Sequence, residues 1–193
     1  MGALTRAGPA TPARTGVWVG IAAITMMFAA FTAAMVVRQS ETDWYHFRLP
    51  PILYFNTLVL LVSSGTLERS RSGLAAAPER ESRGAVPGTH WLSITLGLGV
   101  LFVLGQVLAW RNLAEQGLFL ATSPSSAFFY VFTALHGTHV LGGLAALGYV
   151  LHRATRARGV GSAPVGTADA ASAYWHFLTG LWLYLLVLLT LRL

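Results

Sequence analysis

The chain has 193 residues, of which 54% are hydrophobic and only 10% charged, with a mean hydropathy of +0.59. A soluble domain carries about 25% charged residues, so composition excludes both a water-soluble globule and a disordered chain. The net charge of +6 comes from 13 arginines and no lysine, spread between apolar runs without forming a stripe, so nucleic acid is not an expected partner. Cysteine is absent, which removes disulfides, thiolate metal sites and cysteine nucleophiles.

Residues 1–15, with Arg6, Pro9, Pro12 and Arg14, read as a short unstructured tail. A helix crossing a bilayer core needs about 20 predominantly apolar residues. Five segments meet that length, at about 16–37, 50–67, 90–110, 125–151 and 172–191. The first is too long for the core of a signal peptide, and Arg38-Gln39-Ser40 after it is no small-residue cleavage site. The second opens on Pro50-Pro51, which a first helical turn tolerates because no intrahelical N–H bond is lost there. The expected fold is therefore an all-α, polytopic transmembrane bundle of five helices.

The connecting segments alternate in charge. Arg6, Arg14, Arg69, Arg71, Arg80, Arg83, Arg153, Arg156 and Arg158 fall on one side; Arg38, Arg48, Arg111 and Arg192 fall on the other. The positive-inside rule then places the N-terminus in the cytoplasm and the C-terminus outside. Loops over 70–89 and 153–171, rich in Gly, Ala, Pro and Ser, are expected to be mobile and cytoplasmic.

No Asp, Glu or Arg falls within the five segments, which speaks against a transporter or ion pump, because intramembrane ionisable groups mark such pathways. His136 and His139 lie at i and i+3 on neighbouring positions of one helix face. They read either as a metal or haem ligand pair in a small membrane haem protein, or as structural imidazoles bonded to a neighbouring helix or a lipid headgroup. Ala134, Thr138, Gly142 and Ala146 form a small-residue stripe that lets another helix approach closely. Asn56 and Ser63 share one face of the second segment and are expected to make interhelical hydrogen bonds; a catalytic serine is disfavoured, since no aspartate accompanies it. Trp44-Tyr45, Trp91, Trp110 and Tyr174-Trp175 read as interfacial belt residues, whereas Trp18 and Trp182 sit deeper and require a packing partner.

Three stretches together resemble subunit III of the haem–copper (cytochrome c) oxidases. Phe128-Phe129-Tyr130 followed by Ala134 to Gly143, with His136-Gly137-Thr138-His139, resembles the signature FFxxTGxHGxHVxxG. Tyr174-Trp175-His176-Phe177 and Leu181-Trp182-Leu183-Tyr184 resemble YWHFVDxVWxFLY, and Leu49-Pro50-Pro51, Asn56-Thr57 and Ser63-Ser64 resemble LPxxxxNTxxLxxSS. The resemblance covers about residues 16–193 and is closest to the five-span bacterial form. The chain departs from the pattern twice. Residues 23–28 lack the glutamate of SExMxFF, and Thr179 replaces the aspartate of HFVD.

The resemblance implies an accessory subunit of the bacterial inner membrane with no catalytic residue, haem, copper or directly bound substrate. The cofactors belong to its partners, oxidase subunits I and II. It implies packing on subunit I, binding of membrane phospholipids, and support of proton uptake and stability during turnover. The electron donor would be cytochrome c or quinol, and a nitric oxide reductase component is a further variant. On this resemblance His136, His139, Trp175 and His176 are expected to hold the bundle or its lipids. Arg38, at the end of the first span, is a candidate partner for a lipid phosphate.

Overall fold

The computed structural model of the chain describes residues 12–75, 88–156 and 165–193. It contains five helices: α1 (Pro12–Arg38), α2 (Ile52–Ala75), α3 (Thr89–Glu115), α4 (Pro124–Arg156) and α5 (Val165–Arg192). No strand occurs among the described residues. Four helices, α1, α3, α4 and α5, are long and apolar enough to cross a bilayer. α2 is less apolar because Asn56, Thr57, Ser63, Ser64 and Thr66 interrupt its run, and Glu68, Arg69 and Arg71 follow.

The helices overrun the segments expected from hydropathy. α1 begins at Pro12, inside the expected tail, and residues 1–11 lie outside the described ones. α2 continues to Ala75 and α5 already starts at Val165, so both expected loops are shorter; residues 76–87 and 157–164 lie outside the described ones. Hydropathy marks only the part of a helix that suits hydrocarbon, whereas Glu, Arg and Ala extend it as good helix formers.

The helix ends follow from local sequence. The carbonyls of Pro50 and Pro51 accept from the N–H groups of Leu53 and Tyr54, starting α2 at no cost from the missing proline donors. α3 stops where Gly117 takes φ +79°, a left-handed conformation that glycine adopts without penalty. There the N–H of Leu118 bonds the Leu113 carbonyl and that of Gly117 bonds Ala114, which satisfies two orphan carbonyls of the last turn. α4 opens with Pro124 in its first turn, and Ser123 and Ser126 exchange side-chain-to-backbone bonds across that turn at 3.1 and 3.2 Å.

α2, α3, α4 and α5 close a ring: α2 packs on α3 and α5, and α4 packs on α3 and α5. α1 lies outside that ring, against α4 and α5 alone among the described helices. Phe102 of α3 is central, with its ring centroid 5.0 Å from Trp182 of α5 and 5.9 Å from His136 of α4, both edge-to-face. Glycines allow the close approaches. A Cβ on Gly99 would fall 2.6 Å from Leu144 Cδ2, one on Gly143 would fall 3.0 Å from Trp175 Cε3, and one on Gly105 would overlap the Asn56 amide.

The starts of α1 and α5 and the end of α2 meet at a cavity of about 380 Å³ lined by Trp18, Arg71, Asp169 and His176. Ser70 donates to the Gly88 carbonyl at 3.0 Å, which brings the start of α3 to the same end. Arg69, Arg71, Arg153 and Arg156 therefore belong to one end of the bundle, and Arg38, Arg48, Arg111 and Arg192 to the other.

Candidate functional site

The polar residues of α2 point into the bundle and form a seam. Toward α5, Trp182 Nε1–H donates to Thr57 Oγ1 at 2.9 Å, and Trp175 Nε1–H donates to Ser63 Oγ at 3.1 Å. Each of these hydroxyls gives its own proton to its own helix, Thr57 to Leu53 O at 2.8 Å and Ser63 to Leu60 O at 2.7 Å. A hydroxyl suits this position because it donates once and still has a lone pair for the indole N–H. At the next residue of each helix, Ser64 Oγ bonds His176 Nδ1. Toward α3, Thr66 and Thr95 share a hydroxyl bond of 2.8 Å, and Asn56 Nδ2 reaches the Phe102 carbonyl only at 3.5 Å, the weakest of the set. Interhelical bonds of this kind contribute about 0.6 kcal/mol each in membranes, up to about 1.7.

An ion-pair clasp ends the seam. Arg71 bonds Glu68 on its own helix at 3.1 Å and Asp169 of α5 at 2.8 Å. His176 Nε2 lies 3.5 Å from Glu68, so Ser64, His176 and Glu68 stand in a row. The row does not make a hydrolase: the Glu68 carboxylate is held by Arg71, and Ser64 lies inside α2, where the neighbouring N–H groups are taken up by helix bonds and none remains for an oxyanion.

The expected site residues divide sharply. Ser63 accepts the Trp175 indole N–H from α5, and Asn56 turns inward beside Gly105. Trp175 is no belt residue. It is fully buried, because α5 starts at Val165 and carries this indole well below the helix end. Trp182 has the packing partners its depth requires, whereas Trp18 is 55% exposed. His176 sits at the rim, its side chain 39% exposed.

His139 bonds the carbonyl of Leu135 in its own helix at 2.7 Å, its ring lies 6.1 Å from that of Phe28 on α1, and Tyr174 OH of α5 donates to its carbonyl at 3.3 Å. His136 is closed between Phe102 and Trp182. The two imidazoles therefore turn to different neighbours, and no group of three or more His, Cys, Asp or Glu able to hold a metal occurs among the described residues.

Gly142 faces outward with Ala134 and Thr138, and a Cβ there would meet only Tyr174 OH at 4.0 Å; the adjacent Gly143 takes the close contact instead. Arg38 is engaged by Asp43 through two bonds of 2.6 and 2.7 Å, and its side chain stays 37% exposed. That guanidinium holds the Asp43 carboxyl below the usual carboxylate range, chiefly through its hydrogen bond. Sequence reasoning missed the Thr66–Thr95 and Arg71–Asp169 contacts, because nothing local in a chain marks partners 29 or 98 residues apart.

Comparison with known proteins places this architecture. The profile of the family "Cytochrome c oxidase subunit III" matches residues 44–191. A protein of Mycobacterium tuberculosis named "Probable cytochrome c oxidase subunit 3" is 37% identical over 67% of this chain and 60% of its own length. One of Corynebacterium diphtheriae, named "Cytochrome c oxidase subunit 3", is 33% identical over 74% of this chain and 66% of its own. The "Quinol oxidase subunit 3" of Bacillus spizizenii is 29% identical over 88% and 82%. The matched region thus spans about 60% of the mycobacterial relative. On the profile match and these identities, the chain belongs to the cytochrome c oxidase subunit III family.

Proposed function

We propose that the chain is the accessory third subunit of a terminal haem–copper oxidase in a bacterial cytoplasmic membrane, partnered with subunits I and II, packing on subunit I and contacting phospholipids. In this reading all five helices cross the membrane, and the arginine-richer end, with the starts of α1, α3 and α5, lies in the cytoplasm. Its work is mechanical: it keeps the catalytic subunit covered and its proton supply intact during turnover, while haem and copper stay in the partners. The observation that carries the reading is the direction of the polar groups. Thr57, Ser63, Thr66 and Thr95 are buried, while Val19, Met26, Phe55, Leu58, Leu104 and Val187 make an outer surface suited to acyl chains or apolar helices. The relatives include cytochrome c and quinol oxidase subunits, so either electron donor is compatible with this reading.

Removing this chain from the purified oxidase tests the reading. Haem and copper spectra should stay intact, the initial rate of oxygen consumption should fall only in part and most at alkaline pH, and activity should then decay faster. Immediate and complete loss with altered spectra would overturn it. A reporter inserted within residues 157–164 should signal from the cytoplasm, and a periplasmic signal would reverse the orientation.

A further inference from the structure

Four polar atoms in the middle of the bundle stand apart from the seam: Gln106 Oε1 and Nε2 on α3, and His136 Nδ1 and Nε2 on α4. All four are buried and have no hydrogen-bond partner among the described residues. α3 and α4 run antiparallel. Gly99 approaches Leu144, and Trp110 Nε1–H donates to Thr133 at 3.0 Å, so Gln106 lies at the level of His136 and Gly137. Phe102, one turn from Gln106 on the same face, already touches the His136 ring.

The polar groups around them are committed elsewhere. Trp182 gives its one N–H to Thr57, and Thr133 donates to Phe129 O at 2.7 Å. Leaving four such atoms unpaired in an apolar interior is costly, and buried polar groups in folded proteins find a partner almost without exception.

We propose that Gln106 and His136 share a buried water, a hydration site that joins α3 to α4. A neutral imidazole offers one donor and one acceptor, and a glutamine amide offers both kinds. A water can accept from either and donate to the other, whichever ring nitrogen carries the proton. A cation would meet no carboxylate there and an anion no guanidinium; Phe102 and Trp182 supply only ring faces and edges. A small neutral molecule that both donates and accepts is the ligand this chemistry selects, and internal waters typically bridge such groups with two to four bonds.

The test uses the complete oxidase complex. A density map that resolves ordered waters should hold one within hydrogen-bond distance of the Gln106 amide and of a ring nitrogen of His136. A direct bond between the two side chains, or a separate water on each, would overturn the proposal. Independently, Gln106→Met and His136→Phe roughly conserve volume and remove polarity. Each alone should lower the temperature at which this chain leaves the complex by about 3 °C. The double variant should lose less than the sum, because either change alone already strands the water and its remaining partner. Strictly additive losses, or single variants indistinguishable from the parent, would contradict it.

Discussion

Helices α1 and α2 reverse what hydropathy teaches about soluble proteins. α1 carries no charge between Arg14 and Arg38 and is the less enclosed: Val19, Met26 and Val37 are 65–74% exposed, and among the described helices it touches only α4 and α5. α2 is the most polar of the five and is gripped on two sides, by α3 and α5. In lipid the solvent is itself apolar, so burial brings little hydrophobic gain, and polar side chains are the ones that must find protein partners. The mid-helix hydroxyls of α2 therefore mark where it is held, beside buried apolar contacts such as Leu53, Leu60 and Leu67. Even α1 follows the rule at its single anchored hydroxyl, where Tyr184 OH donates to Thr32 Oγ1 at 2.8 Å.

The contrast is broken most severely at Gly105. Gly105→Ala would drive a methyl group into the Asn56 amide and force α2 from α3; overpacking of this kind costs about 1–3 kcal/mol. The chain should leave the purified complex at a visibly lower temperature. Gly142→Ala, on the outward stripe, should change that temperature little, because only Tyr174 OH stands nearby. A large loss at Gly142 would show that the stripe packs on another subunit, and a silent Gly105→Ala would show that α2 is not clamped. Asp43→Asn should have the smallest effect, since the Arg38–Asp43 pair is solvent-exposed. Its folded-state pKa is lowered, so whatever it contributes is present above the ordinary carboxylate pKa and fades as pH falls through the lowered value. Thermal retention at pH 7 should match the parent.

The helices themselves were legible, because five apolar runs and a Pro50-Pro51 start leave few alternatives. The inward turn of Ser63 was legible too, since a hydroxyl in hydrocarbon needs a partner. What the sequence did not reveal is which partner. Ser63 and Trp175 are 112 residues apart, and only the packing of α2 on α5 joins them. Trp175 looked interfacial because hydropathy started the last span near residue 172, whereas the backbone helix starts at Val165. Gly142 and Gly143 are indistinguishable in a string, yet one turn angle of about 100° separates a surface from a core contact. Arg38 was paired by a turn: residues 39–43 fold back, and Ser40 and Glu41 N–H groups bond Val37 and Arg38 carbonyls, which carries Asp43 to the guanidinium.

Under the proposed function, the seam between α2 and α5 would give the oxidase endurance and take no part in its chemistry. Trp175→Phe tests it most directly: the ring stays, and only the N–H to Ser63 is removed. Oxygen consumption followed over time in the purified complex should begin at the parental rate, with unaltered haem spectra, and then decay faster. A low rate from the first turnover together with shifted haem bands would contradict the account.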